Sequence, residues 1–180
     1  MDAGVHCLQT KAEHVKPDDL LSTLRAFHRE KLTMRERHVA VARFVTDYEF
    51  NNAYQYVIAR EDVHLSWLEA ALVEAGGNPD VVEEPLITAS RVGAKADFMP
   101  LVKEDMRLVD AFVAKWRPQL AEISNARHRT MMQVVIGETL EQRRFFDQIL
   151  AGQDDLLGRR ANGPGSPGTG DGVLPVRWLG

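Results

Sequence analysis

The stretch that decides the fold is residues 18–75, which read DDLLSTLRAFHREKLTMRERHVAVARFVTDYEFNNAYQYVIAREDVHLSWLEAALVEA and contain neither glycine nor proline. This stretch is rich in Ala, Leu, Arg, Glu and Met, the residue types that favour helix. One straight helix of that length would reach ~87 Å, which is too long for a small domain. The chain therefore turns within it, and the weak helix formers of residues 46–52 are the expected turn.

Glycine and proline divide the remainder of the chain. The run Gly76-Gly77-Asn78-Pro79 predicts the end of the second helix, and residues 80–96 predict a long connection without strands. We predict helices over residues 18–46, 52–76, 97–124 and 126–151, with a kink or an early end at Pro118. Two hairpins joined by a long crossover define an all-α four-helix bundle over residues 18–152. An N-terminal arm (1–17) and a Gly/Pro-rich tail (153–180) flank it.

Composition narrows the class of protein. The 180 residues carry 22 Lys and Arg against 26 Asp and Glu, a formal charge of −4. This mild acidity predicts no nucleic-acid partner. The single cysteine excludes a disulfide framework, a thiolate zinc site and a rubredoxin-like electron donor within the chain. No apolar run is long enough for a membrane span and no secretory signal is visible, so we expect a cytoplasmic protein.

Acidic residues interrupt the apolar stripe of each predicted helix. Glu61 and His64 fall inside the stripe of the second helix, and Glu138 and Glu141 inside that of the fourth. Glu30 and Glu104 take the corresponding gaps in the first and third helices, with Asp105 as an alternative to Glu104. Because a buried carboxylate is costly unless it is paired or bound to a metal, this pattern indicates a site.

The sequence spacing supports one shared layer. Glu30 precedes Glu61 by 31 residues, and Glu104 precedes Glu138 by 34, as expected across short hairpins. Glu61 and Glu104 are separated by 43 residues, which agrees with the long connection between them. We therefore predict that all four carboxylates lie at the same depth in the bundle.

These residues, with the Glu-x-x-His motif of Glu61-Asp62-Val63-His64, resemble the ligand set of the ferritin-like di-iron carboxylate superfamily. The resemblance implies two metal ions, with iron expected and manganese as the alternative, and a homo-oligomer. It implies that Glu61 bridges the metals and that His64 binds one of them. The full candidate ligand set is Glu30, Glu61, His64, Glu104, Glu138 and Glu141.

The fourth helix departs from the family pattern. Glu138 is followed at i+3 by Glu141, and Glu141 by Arg144, so a second Glu-x-x-His is missing. Thr33-Met34-Arg35-Glu36 also matches a helix-capping box, and a helix starting at Thr33 would remove Glu30 from the bundle. We assign no role to His28, His38 and His128, which are expected to be exposed.

Three functions remain open from the sequence. The first is oxidation of Fe(II) or reduction of O2 or peroxide at a di-iron site, with electrons from a partner protein or from Fe(II). The second is a metal-free bundle acting as an interaction or stress module, in which Glu61–His64 and Glu141–Arg144 are internal ion pairs. The third is di-iron hydroxylation of an organic substrate.

Overall fold

Four helices form a bundle in the computed structural model, which describes residues 17–92, 95–153 and 156–157. The structure confirms the predicted bundle of four helices. The predicted N-terminal arm, apart from Pro17, and nearly all of the tail lie outside the described residues. The elements are α1 (Pro17–Ala42), α2 (Tyr48–Glu74), β1 (Ser90–Val92), β2 (Lys95–Asp97), α3 (Met99–Ala121) and α4 (Ala126–Leu150).

The turn between α1 and α2 lies in and just before the predicted region. Helix α1 ends at Ala42, and α2 begins after Asp47, whose side chain accepts a hydrogen bond from the Phe50 amide. The Asn51 side-chain amide donates to the carbonyls of Ala42 and Val45. Asp47 and Asn51 thus satisfy backbone groups that the two helix ends leave without helical partners.

Two expectations for the second half of the chain are corrected. Pro118 does not end α3 early, since the helix continues to Ala121 with the proline in its last turn. The long connection contains a short antiparallel hairpin, in which Ser90 pairs with Asp97. Sequence patterning did not predict this hairpin, because strands of three residues are too short to show periodicity.

The helices pack as two antiparallel hairpins, α1 on α2 and α3 on α4. Side-chain pairs such as Arg35–Asp62 and Arg143–Asp110 mark the register within each hairpin. The hairpins meet along α1–α3 and α2–α4. Because α2 and α3 are joined by the long connection, all neighbouring helices run antiparallel, and the side chains of all four converge on one core.

That core is apolar above and below a central polar layer. Phe27, Phe112 and Trp116 pack with tilted and edge-on rings at one level, and Tyr54 and Phe146 at another. Within the described residues, no helix combines the length and apolar character needed to cross a membrane.

Candidate functional site

A layer of buried polar side chains crosses the middle of the bundle, and every helix contributes to it. Such a layer is costly unless its members satisfy one another. Its members are Lys31 and His38 from α1, Glu61 and His64 from α2, Asp105 from α3, and Thr139 and Gln142 from α4.

Lys31 is the centre of this layer. Its Nζ donates to Glu61 Oε1 at 2.7 Å, to Thr139 Oγ1 at 3.2 Å and to Gln142 Oε1 at 3.3 Å. An ammonium group has three protons to donate, so these three acceptors from two helices use its full capacity. The lysine side chain is 0 % exposed, which is rare for this residue type outside a paired site.

Glu61 is held by cations on both oxygens. Oε1 accepts from Lys31, and Oε2 lies 2.8 Å from His38 Nδ1. Burial on its own raises the pKa of Glu61, but attraction and hydrogen bonding from His38 and Lys31 outweigh it and bring the pKa to about 2. Glu61 is therefore a carboxylate throughout the physiological pH range.

His38 binds Glu61 through Nδ1 and is also influenced by the charge of a second carboxylate, Asp105. Burial lowers its pKa, but the charges of Glu61 and Asp105 and the hydrogen bond to Glu61 leave the pKa raised overall. Its ring lies beside those of Tyr54 and Phe146. The histidine therefore keeps its proton to a higher pH than an ordinary histidine does, within an aromatic pocket.

Asp105 is the second buried carboxylate. It accepts from Arg37 Nε and from the Tyr54 hydroxyl, both at 2.6 Å. Burial dominates its titration, and its pKa is raised despite the nearby His38, Tyr54 and Arg37. The pKa of Tyr54 is raised well above its usual value, first by burial and then by Asp105, so the phenol stays protonated as a donor.

His64 faces a different partner. Its Nε2 lies 2.8 Å from Glu138 Oε2, and Arg60 donates to the same oxygen. Burial lowers the pKa of His64 more than Glu138 raises it. His64 is therefore neutral at physiological pH and donates from Nε2 to the carboxylate.

The remaining predicted ligands bind cations at the edge of the bundle. Glu30 accepts from Lys115 Nζ at 2.6 Å and from Trp116 Nε1 at 3.0 Å. Glu104 pairs with Arg107. Glu141 pairs with Arg144, but this pair is exposed, whereas the metal-free alternative expects an internal pair. Its other expected pair, Glu61 with His64, is not formed, because Glu61 pairs with Lys31 and His38 and His64 pairs with Glu138. Of the six predicted ligands, only Glu61 and His64 are fully buried.

The depth predicted for the layer agrees with the structure, but the predicted rotation of three helices about their axes is wrong. Lys31 takes the core position expected for Glu30, Asp105 that of Glu104, and Gln142 that of Glu141. Each is one residue further along its helix, which is a rotation of ~100°. The alternative of Asp105 for Glu104 agrees with the observed burial.

The histidine expectation was wrong. His28, His38 and His128 are all buried, although the dense charges around them suggested an exposed face. The spacing Phe27-Lys31-Met34-His38-Val41 has the helical period and marks the true core face of α1. The polar layer could have been located from this pattern, because a lysine and a histidine occupy positions of the apolar helical repeat.

This arrangement does not fit a pair of metal ions. The Lys31 ammonium contacts the Glu61 carboxylate, which a di-metal site would need as its bridging ligand. The positive charge of Lys31 would repel a metal cation bound at the same carboxylate. Glu30, Glu104 and Glu141 are drawn to Lys115, Arg107 and Arg144 at the bundle edge. Across the described ranges, no three His, Cys, Asp or Glu side chains are grouped so that they could hold a metal ion.

The fold and this layer define a four-helix bundle with a lysine-centred ion-pair core. No protein-family model matches the chain, and no curated protein is found to be similar to it. The site must therefore be interpreted from its own chemistry.

Proposed function

We propose that this protein is a metal-free helical bundle that acts by binding another molecule, not by redox chemistry at a metal pair. The observation that carries the proposal is the position of Lys31. Its ammonium satisfies Glu61, Thr139 and Gln142 at the place where the di-iron hypothesis requires metal. The layer then has a structural role, since it fixes how the four helices face one another.

The ferritin-like relationship remains part of this proposal as a hypothesis about fold. It is supported by two antiparallel hairpins, a long connection between α2 and α3, and a polar layer at mid-height. A bundle of that type in which a lysine has replaced the metals would keep the architecture and lose the oxidase chemistry. Both di-iron functions, oxidase and hydroxylase, are the rival hypotheses.

Metal uptake separates the proposal from its rivals. Purified protein is stripped with chelator, incubated anaerobically with excess Fe(II) or Mn(II), desalted and analysed for metal. We expect well under one metal per chain, and the same background in Glu61→Ala. Uptake of about two metals per chain, lost in Glu61→Ala and kept in Asp62→Ala, would establish the di-metal site. Asp62 is the matched control because it is exposed on the same helix.

A further inference from the structure

A groove between α2 and α4 opens beside the polar layer. Its volume is about 800 Å³, within the usual range for small-molecule sites. Part of its lining is aromatic and part is polar, with Gln142 connecting it to the layer. The lining includes Tyr56, Trp67 and Phe145, the ion pairs Arg60–Glu138 and Arg144–Glu141, and Gln142.

The walls of the groove present aromatic rings to solvent. Tyr56 is 45 % exposed and Trp67 is 38 % exposed, which leaves large ring surfaces without protein contact. The rings of Tyr56 and Phe145 meet edge-on, with centroids 5.5 Å apart. Exposed aromatic faces of this kind favour a flat ligand, because stacked and edge-on rings attract each other beyond the gain from burial.

Gln142, one of the residues that line the groove, carries one unsatisfied donor. Because the Lys31 ammonium can only donate, the Gln142 amide must present its oxygen to Lys31. Its Nε2 is then the other arm of the amide, and it is buried without a hydrogen-bond partner among the described residues. Gln142 itself is 2 % exposed. A buried donor without a partner is costly, and a ligand carbonyl oxygen would remove that cost.

The charges around the groove cancel. Arg60 pairs with Glu138, and Arg144 pairs with Glu141. An anionic ligand would have to compete with a glutamate for its arginine, and a cationic ligand with an arginine for its glutamate. An uncharged ligand leaves both ion pairs intact.

From these observations we infer that the groove binds an uncharged, planar, fused-ring aromatic compound whose carbonyl oxygen accepts a hydrogen bond from Gln142 Nε2. This inference rests on the proposed function, in which the chain acts by binding, and it names the chemical class of the ligand. The rings of Tyr56, Trp67 and Phe145 contact the flat body, and Gln142 selects for the carbonyl.

Lumichrome, a neutral three-ring compound with carbonyl groups, is the probe, and its fluorescence anisotropy reports binding. Fluorene has three fused rings and no hydrogen-bond acceptor, and its binding is measured by competition. The key variant is Gln142→Glu, whose carboxylate still accepts from Lys31 but lacks the amide donor. Gln133→Glu is the matched control, because Gln133 is exposed on the same helix and does not line this groove.

We expect lumichrome to bind wild type and Gln133→Glu equally. Gln142→Glu should bind it about tenfold more weakly or worse, since one buried hydrogen bond is worth roughly that factor. Fluorene should bind wild type about tenfold more weakly than lumichrome does. Trp67→Ala tests the aromatic wall independently of the layer and should also weaken binding. Thermal melting of each variant confirms that it is folded.

Three results would overturn the inference: no binding of lumichrome to wild type, equal binding to wild type and Gln142→Glu, or fluorene binding as tightly as lumichrome. Each of these results leaves the metal analysis unchanged. Conversely, uptake of about two metals per chain would refute the proposed function, whatever lumichrome does.

Discussion

Lys31 Nζ lies 2.7 Å from Glu61 Oε1, and neither side chain is exposed to solvent. Moving two such charges out of water is costly, and the attraction between them repays that cost only with good geometry and further hydrogen bonds. Thr139 and Gln142 complete the shell of Lys31, and His38 completes that of Glu61. Through these hydrogen bonds, the Lys31–Glu61 pair connects α1 to α2 and α4.

Removing the lysine should destabilise the fold severely. Lys31→Met keeps a long side chain but removes one of the two basic partners of the Glu61 carboxylate and leaves its Oε1 buried without that ion pair, at an expected cost of ~3–5 kcal/mol in the free energy of unfolding. Arg144→Met removes the cation of an exposed pair and should cost less than about 1 kcal/mol. Urea unfolding measures both. Similar costs for the two variants would mean that Lys31 is not buried against Glu61.

Lowering the pH should reduce the contribution of Glu61 to the free energy of unfolding. Its folded-state pKa is about 2, below the ordinary 4.5, so the folded protein binds fewer protons here than the unfolded chain. The stabilisation is complete above the unfolded value and is lost as the pH falls through the folded one.

The comparison that isolates this effect is wild type against Glu61→Gln. The difference in unfolding free energy between them should shrink as the pH is lowered from about 5 to about 3. Chemical denaturation at several pH values measures it. A difference that stays constant or grows in acid would contradict the ion-pair geometry.

The pKa values of two histidines of the layer should be shifted in opposite directions. The pKa of His38 is raised above the ordinary 6.5 because attraction by Glu61 and Asp105 outweighs its burial, whereas that of His64 is lowered chiefly by burial. His38 therefore stabilises the fold below pH 6.5, and this contribution is lost as the pH rises through its folded value. A pH titration followed by nitrogen-15 NMR of the imidazoles, assigned with His38→Gln and His64→Gln, measures both pKa values. As the pH rises, His64 should lose its imidazolium proton at a lower pH than His38. The reverse order would be inconsistent with the layer as described.

Glu138 separates the ion-pair account from the metal account. The pKa of Glu138 is lowered because hydrogen bonds from Arg60 and His64 outweigh its burial. Glu138→Gln should therefore lower the melting temperature in chelator, by the equivalent of about 1 kcal/mol. A cluster of mutually repelling metal ligands predicts the opposite, since removing one charge would stabilise the metal-free protein. Glu141→Gln, at an exposed pair, is the control and should change stability by less than about 0.5 kcal/mol.

The depth of the polar layer could be predicted from the sequence, but the residues that form it could be predicted only in part. Helix lengths fix the depth, and the prediction that Glu61 and His64 face the core agrees with their burial. The phase of α1 could not be fixed in the same way, because an apolar stripe over 100° wide admits either Glu30 or Lys31. Lysine and glutamate are both seldom buried, so burial tendency does not choose between them. Only the packing of α4 on the other side, with Thr139 and Gln142 as acceptors, makes a buried lysine favourable.

The most direct test of the central claim is a crystal structure from crystals grown with excess Fe(II) under anaerobic conditions, with anomalous data at the iron edge. We predict the Lys31 ammonium between Glu61, Thr139 and Gln142, and no anomalous peak in the layer. Two anomalous peaks about 3.5–4 Å apart, bridged by Glu61 with Lys31 displaced, would contradict it.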